Sequence, residues 1–188
     1  MSRMVGFCVS NLRNTCSSHR LLILSLFSNL NMQGKRSVLF VCLGNICRSP
    51  IAEAVFLSII KKRGISDQWI VDSAAIIDFH KGKSPDSRTL STLKKFGITD
   101  YEHRARVTTT ADIREFDYIF GMDNSNISDL EDLAKQTERK AKIGLLGEYD
   151  PEGHKIVPDP YYESGDAMFE QVYHQCVRCC EAFLDSLK

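Results

Sequence analysis

The chain has no net charge to offer a polyanion: over 188 residues, 24 basic side chains stand against 24 acidic ones. Binding nucleic acid or a membrane surface by bulk electrostatics needs an excess of Lys and Arg, so neither partner is expected. No apolar run reaches membrane length. The best candidate, LLILSLFSNL (Leu21 to Leu30), is interrupted and shorter than the ~20 residues a span requires, so no stable membrane insertion is expected. No internal repeat is visible. A paired disulfide framework is also missing. Cys8, Cys16, Cys42, Cys47, Cys176, Cys179 and Cys180 make an odd seven, and 43% apolar residues are enough for a core without staples. Such cysteine usage suits a reducing, cytoplasmic setting. Finally, no second short-spaced ligand pair accompanies Cys42 and Cys47, and the five histidines are scattered. A zinc site wants such pairs, so no metal and no cofactor are expected.

The first 35 residues read separately from the rest. Residues 1–32 hold Arg3, Arg13 and Arg20 and no acid, so the remainder keeps 21 of the basic residues and all 24 acidic ones. Arginine and serine without acid suit a mitochondrial presequence. A disordered extension, or an upstream start with Met32 as the initiator, accounts for the same residues. Residues 36–188 are expected to form one domain.

Within that domain, strands and helices alternate. SVLFVC (Ser37 to Cys42) is a continuous apolar run, as in a strand buried on both faces. SPIAEAVFLSIIKKRG has helical spacing and Gly64 as a stop. WIVDSAA is a second strand, SPDSRTLSTLKKFG a helix begun by Ser84 and Pro85, DYIFGMD a third strand, SNISDLEDLA a helix, and KIGLLG a fourth strand. A long loop, EYDPEGHKIVPDPYY, leads to a final helix from about Asp166 to Leu187. This order implies an α/β fold: a four-stranded parallel sheet, helices on both faces, and a phosphate-type loop after the first strand. In such sheets ligands bind beyond the carboxyl ends of the strands.

The stretch VCLGNICRSP (Val41 to Pro50) lies at that place. A strand ends at Cys42, a tight loop follows, and a helix starts at Ser49–Pro50. Pro suits a first turn, where its missing N–H costs nothing. A loop running into a helix N-terminus leaves backbone N–H groups facing inward as an anion cradle. Gly44 permits close approach, Asn45 tolerates a left-handed backbone, and Arg48 adds a two-pronged donor suited to phosphoryl oxygens. Activating a cysteine by a pKa drop of about 3 takes about 4 kcal/mol. One helix terminus supplies at most about 2 kcal/mol, so the inward N–H groups, Arg48 and the Ser49 hydroxyl must share the load. The pattern predicts thiolate attack on phosphorus at Cys42. A Cys42–Cys47 disulfide stays open as a redox state. Asp159, stiffened between Pro158 and Pro160, is a candidate acid for the leaving oxygen, although Asp-Pro is also a common turn former.

Taken together, Cys42 to Ser49 and the Asp-Pro-Tyr-Tyr run Asp159 to Tyr162 resemble the low-molecular-weight protein tyrosine phosphatases, from about Ser37 to the C-terminus. The resemblance implies hydrolysis of protein phosphotyrosine and small aryl phosphates through a phosphocysteine, without metal or cofactor. It implies Cys42 as nucleophile, Arg48 as phosphate clamp and Asp159 as acid, then base. Leu43, Gly44, Asn45, Ile46 and Cys47 would form the loop, with Ser49 steadying the leaving thiolate. Ser73 and His103 would hold Asn45, and Cys47 would guard Cys42 against oxidation. Tyr161 and Tyr162 would wall the cleft. Phe79 stands where many members carry Trp, which changes the size of that wall. Asp123 would support the cradle, although it could simply cap a helix, and His103 could be an ordinary surface histidine. Substrates would be phosphotyrosine proteins, and the chain would be mostly monomeric with weak self-association. An arsenate reductase of the same fold would need further redox cysteines after the second strand; a silent phosphotyrosine-binding module would not need Cys42, Arg48 and Asp159 together.

Overall fold

The computed structural model describes residues 34–188, so the expectations for the N-terminal extension lie outside the described residues. Strands β1 (Arg36–Cys42), β2 (Trp69–Ala75), β3 (Tyr118–Gly121) and β4 (Lys142–Leu145) form one sheet in the order β2-β1-β3-β4. All three pairings are parallel, and β1 is held on both sides, with Phe40 opposite Ser73 and Phe120. The continuous apolar run of β1 is explained by this central position. Its side chains alternate between faces, and each face has its own core.

Val38 and Phe40 pack with residues of helices α1 (Arg48–Lys62) and α5 (Ala167–Asp185), among them Ile51, Val55, Phe169 and Phe183. Leu39 and Val41 pack on the other face with Ile113 of helix α3 (Thr110–Glu115) and Leu130 of helix α4 (Asn124–Ala134). Helices therefore cover both faces, as the strand–helix alternation predicts. Cys176, Cys179 and Cys180 are fully buried on α5 and act as small apolar side chains.

Two local details depart from the sequence reading. Helix α2 (Ser87–Lys95) starts beyond Ser84–Pro85, because Asp86 is its cap and accepts the Arg88 N–H at 2.9 Å. Helix α3 has no counterpart in that reading. Six residues give too little periodicity to register, yet Thr109 and Asp112 form a reciprocal capping box that starts it. Among the described residues, no helix is long and apolar enough to cross a membrane.

Candidate active site

The loop from Cys42 to Arg48 leaves the central strand and enters α1 at the carboxyl edge of the sheet. Arg48, Ser49 and Pro50 form the first turn of α1, and no side chain caps this start. The first-turn N–H groups are thus available to an anion. Cys42 lies at the base, 3% exposed. Its Sγ is 3.1 Å from Ser49 Oγ and accepts the Asn45 N–H at 3.3 Å. Asn45 adopts φ 55°, the left-handed conformation expected of it. Gly44 is needed for a second reason: a Cβ there would come within 2.8 Å of the His80 ring, which lies against the loop.

The loop is pinned from behind by its asparagine. Asn45 Nδ2 donates to the hydroxyls of Ser49 and Ser73, both at 2.9 Å. Asn45 Oδ1 accepts from His103 Nε2 at 2.8 Å and from the Arg106 N–H at 3.1 Å. Ser73 and His103, the two residues expected beside Asn45, both bond its side chain. The surface alternative for His103 does not hold: its side chain is only 7% exposed, and Nδ1 faces Glu53 at 3.3 Å.

Glu53 and Tyr101 are supports that sequence reasoning missed, and Glu53 is the centre of the layer. The Glu53 carboxyl accepts from Ser73 Oγ at 2.6 Å and from Tyr101 Oη at 2.7 Å. Burial pushes its carboxyl up to about 7, although both hydroxyls pull the other way. Burial likewise lowers His103. A signal existed, for Glu53 follows Ser49 by four residues on an apolar helix and so shares its face. Behind this layer Arg106 is held by Asp72 at 2.7 Å and by both oxygens of Asp112 at 2.9 and 3.0 Å.

At the mouth, Arg48 Nη1 donates to Asp123 Oδ2 at 2.6 Å and Nη2 to Asp159 Oδ2 at 2.7 Å. Burial opposes the Arg48 charge, but Cys42, Asp159 and Asp123 outweigh it and hold the guanidinium above its ordinary pKa. Asp123 makes both contacts considered for it, since its other oxygen caps α4 by accepting the Asn126 N–H at 2.8 Å. Cys47 is buried within the loop, just before Arg48. Burial, then the Asp86 carboxylate, push its thiol up to about 12.

The cleft above Cys42 is walled by Leu43, Ile46, Ile77, Phe79, His80, Tyr161 and Tyr162. Phe79, at 71% exposed, and Tyr162, at 84%, form its outer rim. Ring centroids run Phe79–His80 4.8 Å, His80–Tyr161 6.0 Å and Tyr161–Tyr162 5.0 Å, an unbroken aromatic edge. His80 lies beside Phe79 in the loop Asp78 to Lys83, where a wall is expected, and Ile77 extends that wall beyond it. A narrow anion cradle with aromatic walls can hold a tetrahedral phosphoryl group at its base and a flat ring above.

Comparison with known proteins fits this geometry. The sequence model described as low molecular weight phosphotyrosine protein phosphatase matches residues 37–188. The Sus scrofa protein of that name is 52% identical over 157 residues, covering 83% of this chain and 98% of that protein. Among solved structures, Primo-1 is 45% identical with a TM-score of 0.75, covering 81% of this chain and 99% of its own. A Drosophila arginine phosphatase is 40% identical with a TM-score of 0.76, covering 80% and 97%.

Proposed function

The chain belongs to the low molecular weight phosphotyrosine protein phosphatase family, and from that premise we propose that it hydrolyses phosphotyrosine in proteins, and small aryl phosphates, through a phosphocysteine. The observation that carries this reading is the Cys42 sulfur. It sits between the Ser49 hydroxyl at 3.1 Å and the Asn45 N–H at 3.3 Å, under an Arg48 that meets Asp159 at 2.7 Å.

In the first step the Cys42 thiolate bonds to phosphorus as the bond to the aryl oxygen breaks. Asp159 gives that oxygen its proton. Arg48 and the loop N–H groups stabilise the equatorial oxygens, where charge is concentrated. In the second step the Asp159 carboxylate takes a proton from water as the water oxygen attacks phosphorus. The sulfur leaves as a thiolate, to which Ser49 donates. No step requires a metal, because guanidinium and N–H groups supply the positive field. The aromatic edge favours an aryl ester over the phosphoguanidino group implied by the name of the Drosophila relative.

Hydrolysis of p-nitrophenyl phosphate in excess chelator tests the mechanism. Cys42→Ser should lower kcat/KM by at least about 10⁴-fold with the fold retained. Activity that needs a metal, or survives in that variant, would overturn it. A phosphoarginine peptide turned over faster than a phosphotyrosine peptide would overturn the substrate class.

Three finer readings accompany this proposal. The enzyme acts in the cytoplasm as a monomer with weak self-association. It has the broad phosphomonoesterase activity of an acid phosphatase. Cys47 protects Cys42 by forming a reversible disulfide when peroxide oxidises the nucleophile. Both thiols are free and buried in the loop, and inactivation reversed by thiol should become irreversible in Cys47→Ser.

A further inference from the structure

The loop bearing Cys42 and the loop bearing Asp159, which meet at the Arg48–Asp159 pair, are joined a second time by the start of α2. The Asp86 N–H donates to the Ile46 carbonyl at 2.9 Å, and the buried Thr89 hydroxyl donates to the same oxygen at 3.0 Å. This docks the beginning of α2 on the cradle. Arg88 then spans the gap. Its Nε and Nη2 each meet a carboxylate oxygen of Asp86 at 3.0 Å. Its other edge turns to the acid loop, with Nη1 donating to the Glu163 carbonyl at 2.9 Å and Nη2 to the Tyr161 carbonyl at 3.1 Å. The guanidinium lies 4.6 Å from the centre of the Phe169 ring, at the start of α5. The Tyr161 N–H in turn donates to Asp159 Oδ1 at 3.2 Å. A continuous path therefore runs from the cradle at Ile46, through Asp86 and Arg88, to the carboxyl of Asp159.

The alternative is an ordinary surface ion pair between Asp86 and Arg88, worth at most about 1 kcal/mol and without effect on chemistry. Two features argue against it. The guanidinium uses both edges at once, which a planar fork can do and an ammonium cannot. Its second edge also grips main-chain oxygens two and four residues beyond Asp159, in an otherwise exposed loop. We propose that Arg88 is a positioning residue for the acid: it sets the height and direction of Asp159 over the cradle without touching substrate. The proposal rests on the reading of Asp159 as the general acid.

The test is kcat/KM for a series of aryl phosphates of graded leaving-group acidity, with Arg88→Gln, Arg88→Lys and Asp159→Asn in the full chain. Misplacing an acid hurts poor leaving groups most, since good ones depart without a proton. Arg88→Gln should lose about tenfold on the least acidic phenol and less than about twofold on a dinitrophenyl ester. Inhibition by inorganic phosphate, which reads the cradle, should stay within about twofold. Arg88→Lys, which keeps the charge but not the fork, should fall between wild type and Arg88→Gln. If Asp159→Asn steepens the leaving-group dependence while Arg88→Gln leaves it parallel to wild type, the proposal is overturned and the acid assignment stands. If Asp159→Asn itself slows every ester equally, the acid assignment falls and the proposal falls with it. Weakened phosphate inhibition at unchanged slope would also overturn it, by moving the effect to the cradle. Should Arg88→Gln fail to fold, the Arg88→Lys slope decides by the same criterion.

Discussion

The Cys42 loop and the Asp159 loop face each other across one cleft and are built on opposite terms. In Cys42–Ser49 the polar side chains of Asn45 and Ser49 are fully buried and Arg48 is 3% exposed. All four hydrogen bonds that the Asn45 amide group can make are made. The loop around Asp159 lies open, with Tyr161 and Tyr162 exposed, and grips the body through a few bonds to Arg48, Arg88 and Met122. The difference follows from the tasks proposed for them. A sulfur attacking in line with a leaving oxygen must be aimed within tenths of an ångström, which calls for an over-determined backbone. An acid that serves two steps must also meet incoming water, which calls for an accessible one.

That contrast can be broken most strongly at the mouth. Arg48→Lys leaves a point charge where a fork faces both Asp123 and Asp159, and should lower kcat/KM by about 10²–10³-fold while binding of inorganic phosphate weakens. Asn45→Ala attacks the over-determination itself. It strands buried donors and acceptors and puts a Cβ-bearing residue other than Asn in a left-handed conformation. Urea unfolding should show a loss of about 3 kcal/mol, with activity falling in parallel.

Glu53→Gln tests the layer behind the loop through pH. The folded carboxyl titrates at about 7 rather than at its ordinary 4.5. Between those values the folded state therefore keeps a proton that the unfolded chain releases. This contribution to stability is full below about pH 4.5, falls as pH rises through about 7, and is flat above. The variant should flatten that part of the Tm–pH curve, and an unchanged slope would remove Glu53 as its source. The smallest effect belongs to the exposed side. Phe79→Trp enlarges a rim side chain that is mostly in water, so KM for aryl phosphates should shift by less than about threefold with Tm unchanged.

The same contrast decides how much the sequence discloses. The cradle is written in consecutive residues: a buried strand, Gly44 and Asn45 for the turn, then Arg48, Ser49 and Pro50 for the helix start. The parallel sheet and the two-sided helix cover follow from alternation and apolar runs, whereas the strand order β2-β1-β3-β4 is visible only in the fold. The supports are not local. Ser73 from β2 and His103 from the loop after α2 bond Asn45, Glu53 of α1 and Tyr101 stand behind Ser73, and only the packed fold places them together. Family resemblance supplied Ser73 and His103 but not Glu53 or Tyr101. Arg88 reads as one more surface arginine in SPDSRTL, because its partners at Tyr161 and Glu163 lie more than seventy residues away. His80 is invisible for a similar reason: its ring fills space that the absent Cβ of Gly44 leaves open.

Asp123 carries a consequence of a different kind. One of its oxygens begins helix α4 and the other aims the guanidinium of Arg48. Ser, Thr or Asn can begin a helix about as well, so in most proteins this position drifts freely. Here a mutation neutral for folding would misdirect the cation at the cleft mouth, and selection on turnover would remove it. The shared carboxylate thus ties the tolerance of one helix start to the performance of a distant cysteine, and narrows the substitutions that lineages of this chain can accept.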